Sequence, residues 1–378
     1  MKVGVGHSED VDSADAIQEV LDTCSQQLGG ATPQAGILFS ALDHDHQALV
    51  DGIMDRYPDL ELIGATTDGE VSSTLGFAEN SVTLMLFNSE RVSFAAGVGR
   101  DVSENPERAG RQAAEMAMAR LQGAPRLCIA TPEGLLGDVR SALEGIAAVL
   151  GAVVPICGGL AGDQLSLSGT FQFYKSEVLS QALPVLLFSG PLVVSTAIGC
   201  GWQPIGAKHL VTDADGGIVK EIDGKPAIKI YEDYIGSFSM SHPLIVYPND
   251  SEQSFLSVGM EAKEGGILFH VAVPVGSHVQ LSSASRDEAL DGAAAAAAAV
   301  VERYPGSKPD AGFIFSCAGR RLLLGTRVAG EYELLKEQLG VDVPVCGFYT
   351  YGELCPLPGG TAPQAHDSTF VTVLIGED

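Results

Sequence analysis

The stretch Cys346-Gly347-Phe348-Tyr349-Thr350-Tyr351-Gly352-Glu353 decides how this chain is read. An apolar run from Val343 leads into it, two glycines bracket three hydroxyl-bearing side chains, and a carboxylate follows the second glycine. Glycine admits a tight backbone and the close approach of another group. The stretch therefore reads as a strand ending in a turn able to carry function. The same grammar stands at Leu62-Ile63-Gly64-Ala65-Thr66-Thr67-Asp68-Gly69-Glu70, and one residue shorter at Ile156-Cys157-Gly158-Gly159-Leu160-Ala161-Gly162-Asp163. Three such turns need a common cause.

Their lead-ins supply it. Before the first turn come a strand over 3–6, a helix from Ser13 with Ala16, Ile17, Val20, Leu21 and Cys24 on one face, and a strand over 37–40. A helix over 45–57 and a strand over 60–63 follow, and 82–87 returns as a strand after the turn. The pattern restarts with a strand over 94–98, a helix opened at Ser103, a strand over 127–130, a helix over 139–150 and a strand over 153–157, with 184–188 returning. It restarts once more near Val279. There Ser285 and Glu288 have capping-box spacing ahead of seven consecutive alanines, Ala293 to Ala299. A strand over 312–316, a helix over 332–339, the third turn and a return strand over 370–375 complete it. Ala35-Gly36-Ile37-Leu38-Phe39-Ser40 matches Ala311-Gly312-Phe313-Ile314-Phe315-Ser316 in place as well as in letters. The expected fold is α/β: three related β-α-β-α-β-turn-β units packed as two bodies. An insert over 192–276 separates units two and three, and its centre, 211–222, is a β-hairpin around Asp215-Gly216-Gly217.

Composition narrows the partners. Apolar residues make up 46% of the 378 and charged ones 19%, which is an ordinary core-forming balance. The net charge of −26 repels nucleic-acid phosphate and anionic lipid, so neither nucleic acid nor membrane is an expected partner. The seven cysteines show no CxxC pair and no zinc spacing, and most sit in apolar runs, as free thiols of a reducing cytoplasm do. Acidic residues follow the N-terminal Met1-Lys2-Val3-Gly4-Val5-Gly6, so no signal peptide is expected. The longest apolar stretch, 178–202, is broken by Pro184, Gly190, Pro191 and Gly199 and reads as two buried strands rather than a span.

The turns lack a Walker lysine and do not fit GxGxxG, so no nucleotide cofactor is expected. His44 and His46 diverge on a helix start, which leaves no expected metal. In α/β sheets ligands sit beyond the carboxyl ends of strands. With units side by side, Thr66, Thr67, Asp68 and Glu70 would face one cavity with Ser316, Cys317 and Arg320, joined by Tyr349, Thr350, Tyr351 and Glu353. The carboxylates would hold the ammonium of a zwitterion and the arginine its carboxylate, bidentately. The competing reading is that Glu70 and Glu353 only hold their own turns. Cys317 beside Arg320 could instead be an enzyme nucleophile for acyl transfer or hydrolysis, with His366 the leading base and His44, His46 and His270 behind it. Against that stands a buried, inert thiol. A protein-interaction scaffold is the third alternative.

These motifs resemble a known family. Gly64-Ala65-Thr66-Thr67-Asp68-Gly69-Glu70 resembles the signature of the FIST N-terminal domain. Phe315-Ser316-Cys317-Ala318-Gly319-Arg320 and Gly347 to Glu353 resemble the two signatures of the FIST C-terminal domain. Glu221-Ile222-Asp223-Gly224-Lys225-Pro226-Ala227, followed by Tyr231, resembles the segment joining them. The resemblance implies a FIST N-like domain over 30–222, with 1–29 packed onto it, and a FIST C-like domain over 223–370. It also implies a stand-alone intracellular sensory protein that binds a small ligand, such as an amino acid, and signals through a separate output protein. It implies no catalytic residues. Two positions depart from the pattern: His366-Asp367 stands where His-Asn is expected, and the second turn carries Asp163 in place of glutamate.

Overall fold

Buried strands and one-faced helices alternate three times in the computed structural model, which describes residues 1–248, 254–263, 265–340, 342–357, 360 and 362–378. Unit one runs β1 (Lys2–Ser8), α1 (Ser13–Gln27), β2 (Ala35–Ser40), α2 (His46–Arg56) and β3 (Glu61–Thr66). A hairpin, β4 (Glu70–Ser72) and β5 (Gly76–Ala78), then leads to β6 (Val82–Asn88). Unit two repeats this as β7 (Phe94–Arg100), α3 (Pro106–Met118), β8 (Pro125–Ala130), α4 (Val139–Leu150) and β9 (Ile156–Gly159). Its hairpin is β10 (Gln172–Tyr174) with β11 (Glu177–Leu179), and its return strand is β12 (Ala182–Ser189). Unit three opens on β13 (Leu192–Gly199).

The insert follows that strand. It holds β14 (Gln203–Asp215), β15 (Ile218–Ile222), β16 (Lys225–Pro226), α5 (Lys229–Ile235) and β17 (Leu244–Tyr247). β18 (Phe255–Ser257), β19 (Gly259–Lys263), β20 (Gly266–Phe269) and β21 (His278–Ser283) complete its own sheet, ordered β18-β17-β21-β14-β15-β20-β19 with β16 beside β15. Unit three resumes with α6 (Arg286–Glu302), β22 (Ala311–Cys317), α7 (Ala318–Leu324), α8 (Gly330–Leu339) and β23 (Val345–Thr350). Its hairpin is β24 (Glu353–Leu354) with β25 (Ala365–His366), and β26 (Phe370–Glu377) closes the chain.

Local chemistry sets most of these boundaries. Ser285 and Glu288 form the expected capping box on α6 (Ser285 N to Glu288 Oε2, 2.7 Å; Glu288 N to Ser285 Oγ, 3.2 Å). The helix expected to open at Ser103 opens at Pro106 instead, because Asn105 Oδ1 accepts the Arg108 N–H (2.9 Å) and caps it. The strand near Val279, expected to begin unit three, is β21 of the insert. The unit's true first strand is β13, antiparallel to β26 as β1 is to β6 and β7 to β12.

Each unit contributes four strands to a six-stranded sheet and borrows two from another unit. The orders are β1-β6-β2-β3-β10-β11, β7-β12-β8-β9-β24-β25 and β13-β26-β22-β23-β4-β5. Unit two's hairpin thus completes sheet one, unit three's completes sheet two, and unit one's completes sheet three. The exchange is cyclic. The three inner faces share one apolar core in which Phe39, Phe87, Phe94, Phe188, Phe313, Phe315 and Phe348 meet. Phe39 and Phe348 lie 4.4 Å apart by ring centroid and Phe87 and Phe188 5.5 Å, pairs worth about 0.5–1.5 kcal/mol each beyond burial. Helices cover the outer faces, and the alanine-rich α6 comes close enough that a Cβ on Gly199 would meet Gly292 O at 2.0 Å. Among the described residues, no helix is long and apolar enough to cross a membrane.

Candidate functional site

The cyclic exchange brings the three glycine turns together at one end of the shared core. Gly64 lies beside Leu38 in the parallel β2–β3 pair, as Gly158 lies beside Ala130 and Gly347 beside Ile314. A Cβ at any of the three would sit within about 2 Å of the neighbouring strand's carbonyl oxygen (2.0, 2.0 and 1.9 Å). Beyond these glycines the turns bond to one another in sequence around a ring. Gly162 N donates to Thr66 O (2.8 Å), Tyr351 N to Leu160 O (3.4 Å) and Asp68 N to Tyr349 O (2.9 Å). This ring is the common cause the three turns required.

Most of the expected ligand residues hold this joint. Thr66 Oγ1 accepts the Phe171 N–H (3.0 Å) and fixes the borrowed hairpin of unit two. Thr350 Oγ1 donates to Leu160 O (2.6 Å). Tyr351 donates to Asp163, whose carboxylate also gathers the N–H groups of Leu167, Ser168 and Gly169 (3.0, 2.7 and 3.0 Å). The aspartate of the second turn therefore closes its own loop. Arg320 is wholly buried and committed. Its Nε donates to Glu331 Oε1 (2.8 Å), and its other donors serve Glu331, Ala289 O and Cys200 O. Ser316 Oγ and Tyr349 Oη hold the second Glu331 oxygen (2.7 and 2.6 Å). His366 Nε2 pairs with Cys355 O (2.8 Å), and burial lowers its pKa to about 4, so it serves as no base to Cys317. Burial and then the neighbouring Glu353 and Asp367 carboxylates hold the Cys317 thiol well above its ordinary range.

Glu70 is likewise wholly buried. It accepts from the hydroxyls of Thr67 and Ser81, and Ser81 Oγ in turn meets His7 Nε2 (2.8 Å). Burial raises its pKa to about 7, against the opposing hydrogen bonds from Ser81 and Thr67. A carboxyl raised on folding stabilises fully below its unfolded pKa and loses that contribution as pH rises through the folded one. Between pH 4.5 and 8 the loss amounts to about 3 kcal/mol at ~1.4 kcal/mol per unit. Urea unfolding of Glu70→Gln should shift in the variant's favour over wild type by about that amount across this range. A gap independent of pH would show that Glu70 titrates as it does in the unfolded chain.

Three buried polar atoms around the third turn differ from the rest. Glu353 Oε1, Asp68 Oδ1 and His270 Nε2 have no hydrogen-bond partner. Glu353 Oε2 accepts from Thr369 N (2.9 Å) and Thr369 Oγ1 (2.7 Å), while burial lifts its pKa well above the carboxylate range. Its Oε1 has no partner among the protein's donors and acceptors. His270 comes from the insert, and a Cβ on Gly352 would lie 2.7 Å from its Cε1. Its Nδ1 is 2.6 Å from Asp367 Oδ1. Burial opposes its charge, but the Asp367 carboxylate outweighs burial and raises its pKa. Asp367 Oδ2 also accepts the Val258 N–H (2.9 Å), so this departure from the resembling pattern staples the insert to the last loop. Asp68 Oδ2 pairs with Arg321 (3.0 Å to Nε, 2.9 Å to Nη2), and burial raises its pKa to about 6 against that arginine's pull.

Arg321 takes the place expected for Arg320. The sequence gives no hint of α7, which starts directly after Cys317 and turns Arg320 inward and Arg321 toward the first turn. The roles of Asp367 and Thr369 were also missed, and their only signal was the aspartate standing where asparagine was expected. Among the described residues, no group of three or more His, Cys, Asp or Glu side chains is placed to hold a metal ion. Two open clefts, about 570 and 480 Å³, lie at the opposite strand ends, beside Gln34 and Glu61 and beside Val343 to Val345.

The FIST N domain model matches residues 34–225 and the FIST C domain model residues 227–356. FIST domains are, as a family, sensory domains of signal-transduction proteins, regarded as binders of small ligands. An uncharacterized protein of Methanocaldococcus jannaschii is 30% identical over 210 residues, covering 53% of this chain and 40% of that protein. The chain thus spans about two fifths of that relative's length. An uncharacterized protein of Mycobacterium tuberculosis H37Rv is 25% identical over 388 residues, 96% of this chain and 97% of the relative. Among solved structures, the cyanuric acid hydrolase of A. caulinodans is similar at a TM-score of 0.42 and 11% identity, covering 99% of both chains.

Proposed function

The chain belongs to the FIST family, and we propose that it is an intracellular sensor whose ligand is a small zwitterionic metabolite, amino acids among the candidates. The ligand seats at the third turn, against Glu353, His270 and Asp68, and the occupied state is read by a separate output protein. One observation carries this: three polar side-chain atoms without a partner, Glu353 Oε1, His270 Nε2 and Asp68 Oδ1, are buried around the same turn. A buried polar atom without a partner costs about 1–3 kcal/mol, so a ligand that pairs all three recovers that energy on binding. Glu353 Oε1 and His270 Nε2 suit the oxygens of a carboxylate, and Asp68 Oδ1 suits an ammonium. Arg321 adds a cation beside Asp68. A reducing, cytoplasmic setting fits the seven free cysteines.

Thermal melting of the full chain against a panel of amino acids and small carboxylates tests the reading. A true ligand at a hundredfold excess over its Kd should add about 2.7 kcal/mol and raise Tm by several degrees. The shift should be absent in His270→Ala. A panel with no shift at millimolar concentration, or a shift retained in that variant, would remove the site from consideration.

A further inference from the structure

Two of the seven free cysteines face each other across the joint between units two and three. β24 runs antiparallel to β9 with Glu353 opposite Gly159 and Leu354 opposite Gly158. One more step along that register sets Cys355 opposite Cys157. The Cys355 N–H turns away from β9 to Gln364 O (3.1 Å). The pair is therefore of the non-hydrogen-bonded kind, in which antiparallel chains approach to a Cα separation of about 4.5 Å. A disulfide bridges that span. Both side chains enter the shared core on the same face and both are wholly buried, with the Cys355 thiol donating to Pro356 O (3.4 Å). Cys128 lies one strand away, but it sits opposite Ile156 and belongs to the outer-face core, so its thiol points to the other side of the sheet.

We propose that Cys157 and Cys355 are a reversible redox pair whose disulfide fastens the hairpin of unit three to the sheet of unit two. With a hydroperoxide as oxidant, one thiolate sulfur attacks the peroxide oxygen, the O–O bond breaks, and the leaving oxide takes a proton. The resulting sulfenic acid is attacked at sulfur by the second thiol, the S–O bond breaks, and water departs with the second proton. For hydrogen peroxide the sum is two thiols and one peroxide giving one disulfide and two waters, the sulfurs losing two electrons. A dithiol reductant reverses it. Burial sets the pace, because the thiolate is the reactive form and a low-dielectric core disfavours it. Reaction then waits for β24, two residues long, to part from β9, a local opening well short of unfolding. The bond would tie together positions nearly two hundred residues apart in sequence, a loop length at which cross-linking restricts the unfolded chain strongly. The inference stands on strand register and is independent of the ligand site.

Peptide mapping of the full chain under non-reducing conditions, after hydrogen peroxide and alkylation of remaining thiols, tests it. The expected product has lost two hydrogens, carries a linked peptide pair containing Cys157 and Cys355, and returns to the thiol form with dithiothreitol. Its Tm should rise by about 5 °C. Cys128→Ser should keep the linkage, and Cys355→Ser, its fold checked by melting, should lose it. Wild-type protein that stays reduced through prolonged peroxide exposure, or that links Cys128 or another cysteine instead, would overturn the proposal, and this mapping needs no variant to fold.

Discussion

Replacing Arg320 with alanine should lower the unfolding free energy by about 3–5 kcal/mol, the usual cost of removing one partner from a buried ion pair. The substitution leaves the Glu331 carboxylate, 1% exposed, without its counter-charge. It also strips the donors from Cys200 O and Ala289 O. Those carbonyls belong to the root of the insert and to α6, so the guanidinium pins three parts of unit three at once. Urea unfolding measures the effect directly. Arg321→Ala serves as the contrast: its guanidinium is partly exposed and pairs with the exposed Glu79 and with the buried Asp68, whose raised pKa lets it take up a proton when the cation is lost, so the variant should lose less, about 1–2 kcal/mol. Equal, small losses in both variants would mean that Arg320 is free of the clamp and available to a ligand.

Gly347→Ala should be nearly as damaging, at about 3 kcal/mol or more. Overpacking costs about 1–3 kcal/mol where side chains can yield. Here the added methyl would stand 1.9 Å from Ile314 O and 2.7 Å from Ile314 C, and strand backbone cannot rotate away. β23 would have to leave β22, and the third turn with it. Gly137→Ala is the control, since a Cβ there meets nothing within 4 Å and the variant should melt with the wild type. A mild Gly347→Ala would contradict the tight pairing on which the turn geometry rests.

The repeat was legible because its periodic signals are local. Alternating apolar strands, capped helices and the Gly-x4-Gly-Glu turns each announce themselves over a few residues. The exchange of hairpins was not legible. β4, β10 and β24 are two or three residues long, and nothing in such short segments says which sheet they join. The same limit explains the site. Thr66, Thr67, Asp68, Glu70, Tyr349, Thr350, Tyr351 and Glu353 do converge, but every one of them has a protein partner, and for two of them that partner is another turn. Thr350 serves Leu160 O and Tyr351 serves Asp163, contacts created by the ring rather than by either residue's neighbours. Arg320 and Arg321 are adjacent and chemically alike, and only the helical path of α7 sends one inward and the other to Asp68. His270 lies in the insert, 97 positions before the Asp367 it pairs with, too far for sequence spacing to connect them.

The central functional claim is that the unpaired groups at the third turn are a ligand's partners. Calorimetric titration of wild type and Glu353→Met with the zwitterion giving the largest thermal shift tests it most directly. The substitution keeps the length of the side chain and removes the polar group at Oε1, which an amide would replace with another donor. The account predicts one site per chain in the wild type and an affinity at least about tenfold weaker in the variant, the equivalent of one hydrogen bond's ~1.4 kcal/mol. Equal affinity in the two proteins would place the ligand elsewhere and leave the third turn as a structural joint alone.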